Sequence, residues 1–136
     1  MGPKVTQPTL GILGGMGPQA TLYFNQIIIN LTQATQDQDH TPLLVYQNPQ
    51  IPDRTTAILT NTTTPVKDYL IASAKVLEAA GVSVIAIPCN TAHYWFDDLQ
   101  NKVNIPIINM PKEVFKFTKK KCKKNSKVGL LATEGT

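Results

Sequence analysis

Three side chains able to do chemistry directly follow the most apolar stretch of the chain. Cys89, Asn90 and Thr91 stand in "IPCNTAH" (87–93), after "VSVIAI" (82–87). A free cysteine in such a place is often simply buried. If the apolar stretch is a strand and a helix begins near Thr91, however, the helix N-terminus stabilises a thiolate at Cys89. The neighbouring amide and hydroxyl suit a substrate carboxylate, so we favour a reactive thiol over a core residue.

Arg54 is the only arginine beside twelve lysines, and it stands in "PQIPDRTT" (49–56). A guanidinium grips a carboxylate through two hydrogen bonds, which an ammonium group cannot do. We therefore expect Arg54 to bind an anionic ligand. The alternative is a surface ion pair with Asp53 or another acid, which is common for exposed arginines.

Residues 15–20, "GMGPQA", match the dinucleotide-binding pattern G-x-G-x-x-A. Pro18 lies inside that turn, and the next apolar segment ends in Gln47 and Asn48 where an acid should bind the ribose. We therefore favour a glycine turn whose main-chain N–H groups face a small anion.

The remaining candidate groups carry weaker patterns. His93 could orient the thiolate, but no second histidine or carboxylate is tied to it, and a structural role is favoured. His40 and His93 are too far apart in sequence to predict a metal site. Cys122 lies within "KKKCKK" with no pocket motif, and we interpret it as incidental.

The segments that must position these residues alternate between apolar and amphipathic patterns, with a Pro-rich loop predicted over 49–56. This alternation predicts an α/β fold with a doubly wound, mainly parallel sheet of four to five strands and helices on both faces. The predicted strands cover 9–15, 42–48, 82–87, 105–109 and 127–132. The predicted helices run from 18 to about 31, from 64 to 81, from 91 to 100 and from 111 into the lysine run.

Ligands of such sheets bind beyond the carboxyl ends of the strands. The segments "GGMGP", "PQIPDR", "PCNTAH" and "NMP" each follow one of the first four predicted strands. All four therefore face one edge, where a single site is expected.

The composition, with 42% hydrophobic and 16% charged residues, fits one folded domain of 136 residues. Eight lysines and one glutamate between Lys112 and Lys127 give that stretch +7, so the rest of the chain carries −3 of the net +4. This basicity fits a solvated helix end better than nucleic-acid binding. No apolar run reaches the ~18 to 20 residues that cross a bilayer. Two cysteines in different surroundings fit a reducing compartment, and we expect a cytoplasmic protein without membrane or nucleic-acid partners.

The motifs "GILGGMGP", "NPQIPDRT", "IPCNTAH" and "VGLLATEGT" resemble, in order and spacing, those of aspartate racemases of the cofactor-independent aspartate/glutamate racemase superfamily. The resemblance covers essentially the whole chain. It implies PLP-independent racemisation of aspartate or a similar dicarboxylic amino acid, with Cys89 as the base that removes the α-proton. It further implies that Arg54 binds one carboxylate and that Asn90 and Thr91 bind the other. Met16 and Gln50 would shape the pocket, and no cofactor is implied.

Members of the superfamily carry a second, similar domain with the other catalytic cysteine. The resemblance therefore makes residues 1–126 an N-terminal racemase-like domain and residues 127–136 a fifth strand starting the crossing to a missing domain. Neither Cys122 nor any other residue maps to the second cysteine. Three alternatives remain open: an inactive half-domain that binds small dicarboxylates or is purely structural, a glutamate-specific or related isomerase, and a homodimer that pairs two copies of Cys89.

Overall fold

The computed structural model describes residues 9–136, so the first eight residues of the predicted domain 1–126 lie outside the described residues. Helices and strands alternate along this part of the chain, as the sequence pattern predicts. The strands are β1 (Leu10–Gly14), β2 (Leu43–Gln47) and β3 (Val84–Ala86). The helices are α1 (Pro18–Leu31), α2 (Arg54–Leu59), α3 (Thr63–Ala79), α4 (Phe96–Gln100) and α5 (Met110–Lys121), with short 3₁₀ helices at Asp37–Asp39 and Thr91–Trp95.

The sheet has the order β2-β1-β3, and both pairings are parallel. Ile12 in the central strand faces Val45 of β2 and Ala86 of β3. Ile12 and its neighbour Leu13 point to opposite faces of the sheet, and both are fully buried. Both faces of β1 are therefore covered, which confirms the predicted α/β fold with a parallel sheet.

The number of strands was wrong in the prediction: the described residues form three strands, not four or five. In 105–109, Ile107 makes one isolated parallel bridge to Ile85. The Gln100 carboxamide takes the outer edge of this segment, accepting from Ile107 N–H at 2.8 Å and donating to the Ile105 carbonyl at 3.1 Å. These are the groups to which a further strand would bind, so pairing stops there.

The segment predicted as the fifth strand, 127–132, is irregular and lies on the surface. Leu130 is 82% exposed and Leu131 is fully exposed. The apolar composition of this segment wrongly predicted a strand, because strand propensity depends on the neighbouring strand that a segment packs against.

The loop predicted over 49–56 was also partly wrong, because α2 begins at Arg54. Asp53 caps this helix, accepting a hydrogen bond from the Thr56 N–H at 2.7 Å. An Asp before a helical turn is a common helix start. The two prolines of the segment precede that cap and do not interrupt the helix.

The two faces of the sheet are covered unequally. On one face, α3 and α4 supply large, almost fully buried side chains: Val66, Leu70, Leu77 and Leu99, with Trp95 from the 3₁₀ helix beside them. On the other face, Thr21 is the buried residue of α1, and α5 buries none of its residues. Between these helices, an apolar cavity of about 310 Å³ lies over β3 and is lined by Phe24, Val114 and Phe117. The core is therefore concentrated on the α3 side.

Candidate functional site

A tight glycine turn joins β1 to α1. Gly15 has φ +98, and a Cβ there would lie 2.4 Å from the main-chain carbon of Asn48, so only glycine fits. The Gly15 N–H donates to the Thr21 hydroxyl at 2.9 Å, and this hydroxyl donates to the Gly17 carbonyl at 3.0 Å. These bonds fix the turn that carries Met16. They also occupy the Gly15 N–H, so it does not face an anion as the sequence had indicated.

The cysteine loop follows β3, next to that turn. Cys89 is half-buried against the core, and its thiol is free. The Cys89 main-chain N–H donates to the Ile87 carbonyl at 2.8 Å. The Cys89 carbonyl oxygen lies 2.9 Å from Nδ1 of His93. Cys89 therefore packs against the core and also lines a cavity.

The helix predicted over 91–100 is divided in the structure. Thr91–Trp95 is a 3₁₀ helix and α4 follows from Phe96. The helical run after the cysteine loop therefore begins with 3₁₀ turns, whose hydrogen-bond geometry is poorer than that of an α-helix, and continues directly into α4.

His93 is bonded to main-chain atoms through both ring nitrogens. Nδ1 contacts the Cys89 carbonyl, and the Met110 N–H donates to Nε2 at 3.1 Å. The ring also stacks on Phe96, with centroids 6.2 Å apart and an interplanar angle of 7°. These contacts agree with the structural role favoured from the sequence.

One cavity of about 530 Å³ collects most of the predicted site. Its lining includes four predicted residues, Met16, Cys89, Asn90 and Thr91. They follow β1 and β3, the neighbouring strands between which the chain connections reverse direction. Such switch points are the usual ligand sites of doubly wound sheets. The volume lies within the ~300 to 1,000 Å³ typical of small-molecule pockets.

Gln50 and Arg54 do not line this cavity. Gln50 is exposed, and its main-chain N–H donates to the Asn48 side chain at 3.1 Å. Arg54 Nη1 donates to the carbonyls of Ile51 and Pro52 at 3.2 and 3.1 Å. Its Nε is buried without a hydrogen-bond partner among the described residues. The Nε–H donor of the guanidinium is therefore not used in a hydrogen bond within the described residues.

The predicted alternative for Arg54, an ion pair with Asp53, is not observed. The ion pairs within residues 9–136 join Lys67 to Asp98 and Lys116 to Glu113. The Asp53 carboxylate instead caps α2, and the hydrogen bond from the Thr56 main-chain N–H lowers the pKa of that carboxyl.

Residues near the C-terminus complete the cavity wall, and sequence reasoning did not assign them to the site. They are Leu130, Leu131, Ala132, Thr133 and Thr136. A Cβ at Gly135 would lie 2.6 Å from Thr55 Oγ1 and 2.9 Å from Thr91 Cγ2. Gly135 thus brings this segment between α2 and the cysteine loop. These residues belong to the motif "VGLLATEGT", and this was the sequence feature that could have assigned them to the site.

Other features of the described residues bear on alternative functions. They contain no cluster of three or more side chains suited to a metal ion. No helix within residues 9–136 has the length and apolar character needed to cross a bilayer. All eight lysines between Lys112 and Lys127 are exposed, and so is Cys122.

Comparison with known proteins gives consistent results. The family model for Asp/Glu/hydantoin racemases matches residues 13–136. The broad specificity amino-acid racemase RacX of Bacillus subtilis is 32% identical over 93% of this chain and 55% of its own length. An aspartate racemase of Picrophilus torridus superposes with TM-score 0.77 and 37% identity, covering 84% of this chain and 48% of that one. An aspartate racemase homologue of Pyrococcus horikoshii superposes with TM-score 0.71 and 30% identity, covering 85% of this chain and 50% of that one. The chain thus spans about half the length of these relatives.

Proposed function

Because the chain belongs to the Asp/Glu/hydantoin racemase family, we propose that it binds a small dicarboxylic amino acid such as aspartate and that the Cys89 thiolate removes the substrate α-proton. The observation that carries this proposal is the shared cavity of Cys89, Met16, Asn90 and Thr91. Its position beyond the carboxyl ends of β1 and β3 supports a small-molecule site. In this function Cys89 is the catalytic residue.

The proposed binding roles follow from the available donors. Asn90 and Thr91 hold one substrate carboxylate, while Met16 shapes the pocket from its wall and Gln50 from the neighbouring loop outside that wall. Arg54 holds the second carboxylate once its side chain turns toward the cavity, which it does not line in this structure. Its Nη1 is occupied by two carbonyls, but Nε and Nη2 form the other edge of the guanidinium and can bind a carboxylate through two hydrogen bonds. The absence of a hydrogen-bond partner for Nε among the described residues supports this use, which requires the buried Nε to become accessible.

The proposed chemistry needs no cofactor. The thiolate takes the α-proton and becomes a thiol, while the electron pair of the C–H bond stays on the α-carbon, next to the substrate carboxylate. Returning the proton to the same face restores the starting enantiomer, and returning a solvent-derived proton gives exchange. Inversion requires a proton from the opposite face. Cys122, the other thiol, does not line the cavity, so this chain alone is proposed to exchange the α-proton without efficient racemisation.

The test is exchange at the α-carbon of L-aspartate in D₂O, followed by ¹H NMR together with chiral chromatography. The wild-type chain and the matched Cys122→Ser variant should both exchange the α-proton, and Cys89→Ser should not. Equal exchange by Cys89→Ser would overturn the role of Cys89. If the wild-type chain binds aspartate but does not exchange its α-proton, the catalytic proposal fails and the alternative of an inactive dicarboxylate-binding domain is supported.

The substrate and the assembly need their own measurements. L-Glutamate should be assayed beside L-aspartate, because the Bacillus subtilis relative is described as having broad specificity. A homodimer that presents Cys89 from two chains is the route by which this chain could racemise. Racemisation would then rise more steeply than linearly with protein concentration. Two free cysteines fit a reducing compartment, so we propose the cytoplasm as the location.

A further inference from the structure

Cys89 is held through its main chain on both sides. Its N–H donates to the Ile87 carbonyl at 2.8 Å, and its carbonyl oxygen lies 2.9 Å from His93 Nδ1. The second contact is made by a side chain four residues later. We propose that His93 is a positioning residue that fixes the Cys89 thiol in the cavity; this inference rests on the proposed function of Cys89.

The two partners of the ring determine its proton. The Cys89 carbonyl can only accept, so Nδ1 must carry a hydrogen. The Met110 N–H can only donate, so Nε2 at 3.1 Å must present a lone pair. The Ile108 carbonyl is a second neighbour of Nε2 but lies at 3.4 Å. These contacts assign the ring hydrogen to Nδ1 and the lone pair to Nε2.

The ring joins two walls of the cavity. Cys89 and Met110 both line it, and they belong to segments that follow different parts of the sheet. The imidazole bonds the main chain of each. Stacking on Phe96 holds the ring plane. The separation of the two walls is thus set by one rigid ring, and the Cys89 thiol is kept half-buried.

Alkylation of Cys89 by iodoacetamide tests this role without any substrate. The full chain carries Cys122→Ser, so that Cys89 is the single thiol. His93→Phe keeps an aromatic ring over Phe96 but removes both hydrogen bonds. His93→Gln offers an amide donor to the Cys89 carbonyl and a carbonyl acceptor to the Met110 N–H, and is the conservative rescue.

Gln100→Leu is the matched control for general destabilisation. Like His93, Gln100 makes two hydrogen bonds to main-chain atoms, but its partners, Ile105 and Ile107, do not line the cavity. We expect His93→Phe to speed Cys89 alkylation by roughly threefold or more, the equivalent of about one hydrogen bond. His93→Gln and Gln100→Leu should stay within about twofold of the parent.

Two results would overturn the role of His93: an unchanged alkylation rate in His93→Phe, or an equal rise in Gln100→Leu. The ¹⁵N NMR spectrum of the wild-type imidazole provides a test that needs no variant. It should show a protonated Nδ1 and an unprotonated Nε2 at neutral pH, and the reverse pattern would contradict the assignment.

The result also separates this inference from the proposed function. If the wild-type chain does not exchange the aspartate α-proton, the proposed function fails, while the alkylation rates still decide whether His93 positions Cys89. If exchange is observed, His93→Phe should lower its rate at saturating aspartate, and His93→Gln should restore it.

Discussion

The side chain of Gln100 hydrogen-bonds the free edge of the sheet at Ile107. Its carbonyl oxygen accepts from the Ile107 N–H at 2.8 Å, and its amide group donates to the Ile105 carbonyl at 3.1 Å. A glutamine side chain thereby makes the two bonds that an additional strand would make. On this side the sheet is closed by a side chain at the end of α4.

Replacing Gln100 by leucine should therefore destabilise the fold. The change leaves a main-chain N–H and a main-chain carbonyl without partners next to the buried Ile107, at an expected cost of about 1–3 kcal/mol. Urea denaturation measures this free energy. Gln26→Leu is the control, because Gln26 bonds only an exposed side chain of α1, and equal losses in the two variants would contradict the edge-closing role.

Substitution of Gly15 by alanine should disrupt the turn after β1. The residue has φ +98, and its Cβ would meet the main chain of Asn48, which cannot move as a flexible side chain could. We expect a loss of roughly 2 kcal/mol or more in the free energy of unfolding. Gly129→Ala should be nearly neutral because its Cβ meets nothing within 4 Å. Similar stabilities for both variants would show that the turn adapts.

The Thr21 hydroxyl should matter more than its methyl group. It accepts from the Gly15 N–H and donates to the Gly17 carbonyl, and the side chain is 2% exposed. Thr21→Val keeps the shape but leaves the Gly15 N–H without its acceptor, while the Gly17 carbonyl keeps its bond from the main-chain N–H of residue 21 at 3.2 Å; a loss of about 1–3 kcal/mol is expected by urea denaturation. Thr21→Ser keeps the hydroxyl and should lose less; the opposite order would point to packing as the dominant contribution.

The cap of α2 should make stability depend on pH. The Thr56 main-chain N–H lowers the pKa of the folded Asp53 carboxyl below its ordinary value of 3.8. The charged cap therefore contributes stability above the unfolded pKa, and this contribution is lost as pH falls through the folded pKa.

Thermal unfolding of Asp53→Ala should thus differ from wild type more at about pH 7 than at about pH 2. Asp53→Asn retains a capping oxygen without charge, so its cap should contribute equally at both values. A difference between wild type and Asp53→Ala that does not change with pH would contradict the charged cap.

The parts of the fold that follow from local pattern could be predicted from sequence. The apolar segments of β1 and β3 indicated strands of a parallel sheet, and glycines marked the end of β1. The rule for parallel sheets then placed Met16, Cys89, Asn90 and Thr91 at one edge, where the structure brings them together around one cavity.

The remaining features depend on partners distant in sequence. Whether 105–109 pairs further is decided by Gln100, a residue whose pattern indicates only a helix end. The position of Arg54 depends on the carbonyls of Ile51 and Pro52, which precede α2, and α2 was missed because two prolines suggested an irregular loop. The segment 127–132 has strand composition but no neighbouring strand, and composition cannot supply one.

The wall of the Cys89 cavity that contains Thr133 and Thr136 belongs to an exposed, irregular segment. A ligand touching both this wall and Cys89 gains binding energy only when the segment is in place. By thermodynamic reciprocity, that ligand must hold the segment there as strongly as the segment improves its affinity. Protection of residues 130–136 from proteases will therefore report occupancy of the cavity, even for a ligand on which Cys89 performs no chemistry.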